Sequence, residues 1–122
     1  MHSSFIICSL AFILSACSQP LEKKLIGEWI ACSNDICTIM ALNADQTFSD
    51  RFDEKDSGTD ICSGTWRVDR DYLVLHLTHG DKVLQDVVGK DVRFLISQFQ
   101  HDRFVATPTQ DSQNPVTWQR RH

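Results

Sequence analysis

The sequence predicts an all-β domain, a small antiparallel up-and-down barrel of about eight strands, and three observations carry that reading. Short apolar segments recur from residue 25 to the C-terminus, each ended by a cluster of Asp, Asn, Ser or Gly. Within them apolar residues recur at every second position, most clearly Leu73, Leu75 and Leu77, which is the period of a half-buried strand. An even number of such strands lets the last pair with the first, and closure removes both sheet edges.

Each element follows from its residues. Residues 25–32 form the first strand, and Ser33-Asn34-Asp35 turns the chain into a second over 37–42, giving a hairpin. Asn43-Ala44-Asp45-Gln46 leads into a strand at 47–52, and the polar run 53–60, with Gly58, is a longer loop before a strand at 61–68. Asp69-Arg70-Asp71 then turns into a strand at 72–77. Over 81–89, Val83, Leu84, Val87 and Val88 sit at helical spacing, with Asp81 to cap and Gly89 to terminate. A ninth strand there is the alternative, and strand parity favours the helix or loop. Strands at 92–99 and 104–107 pair about Gln100-His101-Asp102, residues 108–115 are loop, and 116–120 is the last strand. Eight strands is the size at which a barrel interior is either filled or holds one small ligand.

Ahead of the barrel, residues 5–16 are an apolar run with the length of a signal-peptide core, too short to cross a bilayer as a helix. Leu14-Ser15-Ala16-Cys17, which ends it, resembles the lipobox of bacterial lipoproteins. That resemblance implies that Cys17 receives a diacylglycerol on its sulfur, that residues 1–16 are removed, and that the new amino group is acylated with a palmitate-type chain. Each buried methylene is worth about 0.8 kcal/mol, so several chains hold the protein on a membrane without a transmembrane helix. Ser18 stands where an aspartate would favour the inner membrane, which by the family rule implies the outer membrane and its periplasmic face. What remains is 106 of the 122 residues: a tether over 17–24 and one domain over 25–122, with room for a single core.

Gly27-Glu28-Trp29 on the first strand is similar to the Gly-x-Trp signature of lipocalins. The turn Asn43-Ala44-Asp45-Gln46-Thr47-Phe48, then Gly64-Thr65-Trp66, then a closing strand ending in Arg complete the order found in small lipocalin-like bacterial lipoproteins, over residues 25–121. Gln46 stands where that group usually has Gly. The resemblance implies that Trp29, beside Gly27, plugs the closed end of the barrel and that Arg120 or Arg121 packs across its face, worth about 0.5–2 kcal/mol. Trp66 shares a strand face with Cys62, Gly64 and Val68 and reads as core, and Trp66 and Tyr72 are the candidates for lining a cavity.

With Cys8 lost and Cys17 lipidated, Cys32, Cys37 and Cys62 remain in a compartment where disulfides persist. All three fall at the rim far from the tether. Cys32 and Cys37 face each other across one hairpin and are the expected pair; Cys62 with either of them, tying the long loop to the rim, is the alternative.

Composition narrows function further. The net charge of −4 is spread along the chain without the basic patch that nucleic acid requires. His76 and His79, three apart on a strand, point to opposite faces, so no metal site is expected from them. Asp50, Asp53, Glu54, Asp56 and Asp60 lack the spacing of a calcium loop and read as a solvated acidic loop. No nucleophile motif or phosphate-binding loop occurs, so neither enzymatic activity nor a cofactor is expected. The leading expectation is a lipid-anchored, non-enzymatic module that takes a small apolar ligand through the membrane-distal rim. The alternative is a protein-interaction, assembly or inhibitor module of the cell envelope with a filled core. An interior cavity of roughly 300 Å³ or more separates the two.

Overall fold

Alternation of inward and outward side chains along every strand closes one sheet around one core. The structure, a computed structural model, describes residues 19–33, 35–54, 58–109 and 114–122. The expected leader and Cys17 lie outside these. The strands are β1 (Gly27–Ser33), β2 (Ile36–Leu42), β3 (Thr47–Glu54), β4 (Gly58–Asp69), β5 (Tyr72–Gly80), β6 (Asp91–Gln100), β7 (Arg103–Pro108) and β8 (Val116–Arg120). They form a closed antiparallel barrel in chain order, as the sequence predicts. Inward positions such as Trp29, Met40, Phe48, Trp66, Leu75 and Phe104 make the core.

Two segments differ from expectation, the start of the first strand and the run 53–60, which is no long loop, since β3 continues to Glu54 and β4 starts at Gly58 with Asp53 paired to Thr59. The first strand does not begin at residue 25: Leu21–Leu25 is a helical turn, α1, started by Pro20, whose carbonyl accepts hydrogen bonds from the Lys23 and Lys24 amides at 3.0 and 3.3 Å. Ile26, in extended conformation, ends it, Gly27 follows at φ +141° as the first residue of β1, and Leu25 is fully buried beneath the barrel end. Lys82–Val87 is a short 3-10 helix, the reading that strand parity favours, and not a ninth strand. Asp81 does not cap it; the Asp81 carboxylate instead accepts from the Ile61 amide at 3.0 Å, joining this connection to β4.

The tether end is built tightly. Its three hairpin turns carry Gln46, Arg70 and His101 at positive φ, and Gln46, standing in for a glycine, gains a side-chain hydrogen bond to the Trp66 carbonyl at 2.9 Å. The Trp66 indole donates to the Asn43 carbonyl at 2.9 Å. In Gly64 the missing Cβ lets the β5 backbone at His76 approach closely, next to a register shift between β4 and β5.

Closure at β1 and β8 rests on two register pairs, Trp29 with Arg120 and Ile30 with Gln119, and on the Arg121 amide, which donates to the Glu28 carbonyl at 2.8 Å. Arg120 reinforces it: its guanidinium lies 4.3 Å from the Trp29 ring centroid and donates to the carbonyls of Ile26 and Lys24, each at 3.0 Å. Its Nε donates to Asp102 at 3.2 Å, and the Trp29 indole donates to the Leu25 carbonyl at 2.9 Å. Arg121 points elsewhere and pairs with exposed Glu28 at 3.2 Å, so Arg120 alone of the two covers Trp29. Gly27 sits directly under the guanidinium, where a Cβ would strike Nη1.

Arg120→Ala is expected to destabilise the barrel by about 2–4 kcal/mol, from the lost charged hydrogen bonds and ring contact. Gly27→Ala, strained at its positive φ and displacing that same guanidinium, is expected to cost less in the Arg120→Ala background than alone. Chemical denaturation of the four proteins in this cycle measures the coupling; strictly additive effects would contradict the shared contact.

Candidate functional site

Eight strands of this length enclose more space than the core side chains fill. At the tether end an aromatic group takes up the interior: Trp29 meets Phe104 edge-on at 4.7 Å, Phe104 stacks on Phe99 at 5.9 Å, and Trp118 stacks on Phe104 at 6.2 Å. Above Trp118, toward the opposite rim, the interior opens into a cavity of about 330 Å³. Its walls come from the rim halves of five strands. β1 and β2 supply Ala31, Ser33, Ile36 and Thr38, and β3 supplies Asp50 and Phe52. Phe94 of β6 and Val116 and Trp118 of β8 form the facing wall.

Asp50 is the one ionisable side chain in that lining. It lies between Phe48 and Phe52 on the inward face of β3, where alternation directs it inside, and its register partners are Met40 and Cys62. Only 7% of the residue is exposed, and its Oδ1 has no hydrogen-bond partner among the described residues. With no cation nearby to favour the charged form, burial pushes its carboxyl up to about 7. Asp50 is thus not part of a solvated acidic loop, as its neighbours in sequence suggest. Asp53 does face outward, where its carboxylate takes Arg51 at 3.3 Å and Thr59 at 3.0 Å. Asp56 lies outside the described residues.

Cys32 and Cys37 form a disulfide between register partners with Cα atoms 4.1 Å apart, so the alternative with Cys62 is not adopted. Cys62 is a buried free thiol, and burial, together with the negative charges of Asp50 and Asp81, pushes it up to about 12. A thiol so held is a poor nucleophile. Trp66 and Tyr72 do not line this cavity. Trp66 is committed to the turn at the tether end, and Tyr72 sits on the outer face, where the Arg93 guanidinium stacks on its ring at 4.9 Å.

Outside the barrel, His76 Nδ1 lies 2.8 Å from Asp91, whose second oxygen takes Arg67 at 3.5 Å. The hydrogen bond from His76 holds the Asp91 carboxyl below its ordinary range. This is an exposed ion-pair cluster, and among the described residues no group of three or more metal-ligating side chains occurs. Sequence reading overlooked Asp50 because charge was counted along the chain; the i, i+2, i+4 placement of Phe48, Asp50 and Phe52 was the available signal.

Asp50 gives stability a particular pH dependence. The unfolded chain ionises it near pH 4, whereas the folded chain keeps its proton until about 7, so the native state holds more protons between those values. Stability from this group therefore falls as pH rises through that interval. Asp45, lowered by the Thr47 hydroxyl, and Asp91 act with opposite sign and below pH 4. Asp50→Asn is expected to match the parent near pH 4 and to exceed it by about 2–4 kcal/mol at pH 8, in thermal or denaturant unfolding.

No protein-family model matches the chain, and no characterised protein matches it in sequence.

Proposed function

We propose that this protein is a lipid-anchored, lipocalin-like binding module without enzymatic activity, which holds a small apolar ligand inside the membrane-distal half of its barrel. The observation that carries this reading is the rim cavity of about 330 Å³, walled largely by aliphatic and aromatic side chains and closed below by the Trp118 and Phe104 stack. A cavity of that size speaks against a fully solid core, and with it against a module acting only as an envelope assembly factor or inhibitor. The lipobox-like residues from Leu14 to Cys17 support attachment through acyl chains on Cys17, and Ser18 supports the periplasmic face of the outer membrane. Lys23 and Lys24 stand at the tether end, where an anchored domain would meet anionic headgroups. Gly27-Glu28-Trp29 under Arg120 supports the lipocalin-like assignment.

Two outcomes test the proposal. Cys17→Ser should move the protein from the membrane fraction to the soluble one and remove its lipid mass; unchanged fractionation would refute the anchor. Binding of 2-phenylethanol, followed by calorimetry, should be lost in Ala31→Phe, which places a ring in the cavity, while the unfolding midpoint shows that the variant still folds.

A further inference from the structure

Asp50 stands in the cavity with an unpaired carboxyl oxygen, and an unpaired buried polar atom carries a cost that the fold alone does not offset. We propose that the cavity's ligand is a small apolar amine, whose protonated nitrogen pairs with the Asp50 carboxylate while its carbon skeleton lies against Phe52, Phe94 and Trp118. This rests on the reading of the cavity as a ligand site and names the chemistry of what it takes.

Three features of the cavity and its mouth favour a cation over other ligands. The first is the carboxyl itself: Asp50 lines an otherwise apolar space, is only 7% exposed, and its buried Oδ1 has no hydrogen-bond partner among the described residues. The second is the aromatic wall of Phe52, Phe94 and Trp118, since ring faces attract an ammonium and add to the carboxylate's pull. The third is the mouth. Among the described residues it carries Asp35 in the β1–β2 turn, Asp53 and Asp60 at the facing ends of β3 and β4, and Asp81 after β5, a negative setting that concentrates cations and repels a carboxylate ligand. The volume, room for roughly ten water-sized groups, limits the ligand to a small amine.

The groups facing Asp50 leave this assignment intact. From β2 its neighbour is the Met40 thioether, and from β4 it is the Cys62 thiol, protonated across the working range. Asp81 is engaged by the Ile61 amide, and Arg51 pairs with Asp53 on the outer face of β3. From β6 and β8 come Phe94, Val116 and Trp118. No lining group supplies a positive charge, so the ligand must. Because burial keeps Asp50 protonated up to about 7, an ammonium that binds below that value displaces one proton to solvent, and affinity rises with pH until the amine itself loses its charge.

The test titrates 2-phenylethylamine, 2-phenylethanol and phenylacetate into the full chain in phosphatidylcholine nanodiscs at pH 6, 7 and 8, with empty discs as the blank. At pH 8 the amine should bind about tenfold tighter than the alcohol, with a smaller advantage at pH 6, and phenylacetate should bind most weakly. Asp50→Asn should abolish the amine's advantage and leave the alcohol's affinity within about twofold, which also shows that the variant is folded; Asp50→Leu should do the same to the amine. Equal binding of amine and alcohol, or an amine affinity unchanged in both variants, would overturn the assignment while leaving the cavity a ligand site. If none of the three probes binds, the ligand-site reading falls together with it.

Discussion

The seam between β1 and β8 joins the two ends of the chain's sheet through two register pairs and the Arg121 amide's hydrogen bond to the Glu28 carbonyl, and the guanidinium of Arg120 makes up for that shortness. A single planar group reaches the helical turn through Lys24, the strand start through Ile26, the β6–β7 turn through Asp102, and the indole of Trp29 from above. Five donors in a rigid fork suit this role in a way that a lysine ammonium does not. Everything else at the tether end is arranged around it. Gly27 has no side chain so that the fork can pass, and α1 ends just before it, at Leu25, leaving the Lys24 and Ile26 carbonyls to accept from the fork. The rest of the barrel needs only ordinary strand pairing once this seam is held.

Tight packing at one end is matched by space at the other. Large aromatic side chains crowd the tether half and give it the dense contact on which stability depends, whereas Ala31, Ser33, Thr38 and Val116 at the rim are too small to meet across the interior. The cavity is therefore a matter of side-chain size on a uniform frame. Asp50 lies at the level where the two halves meet, with Met40 and Cys62 beside it, and it exchanges some stability at neutral pH for a polar point inside an apolar space.

Most of the fold was legible because strand alternation and turn residues act locally. The even count of strands, the hairpin turns, and the Cys32 with Cys37 pairing all follow from residues near one another in sequence. The helical turn at Leu21–Leu25 was not, since too few residues are involved for a period to show, and its stability comes from burying Leu25 and from the distant Arg120. The cavity escaped for a related reason. Whether Trp66 or Trp118 borders open space depends on which of their cross-barrel neighbours are large, and that is a property of the closed sheet. Asp50 shows the same limit: its charge suggested solvent, but its position in β3 decided its surroundings.

The disulfide at the outer face of the β1–β2 hairpin also bears on how the chain oxidises. Three of the chain's five cysteines lie in the barrel, and Cys32 and Cys37 are separated by 5 residues, against 25 between Cys37 and Cys62. Chain statistics alone make the nearer encounter about tenfold more frequent. Once the hairpin is linked, closure of the sheet carries Cys62 inside, away from oxidants and from a second copy of the chain. With the nearer pair linked and the third thiol buried, the barrel presents no accessible free thiol among the described residues.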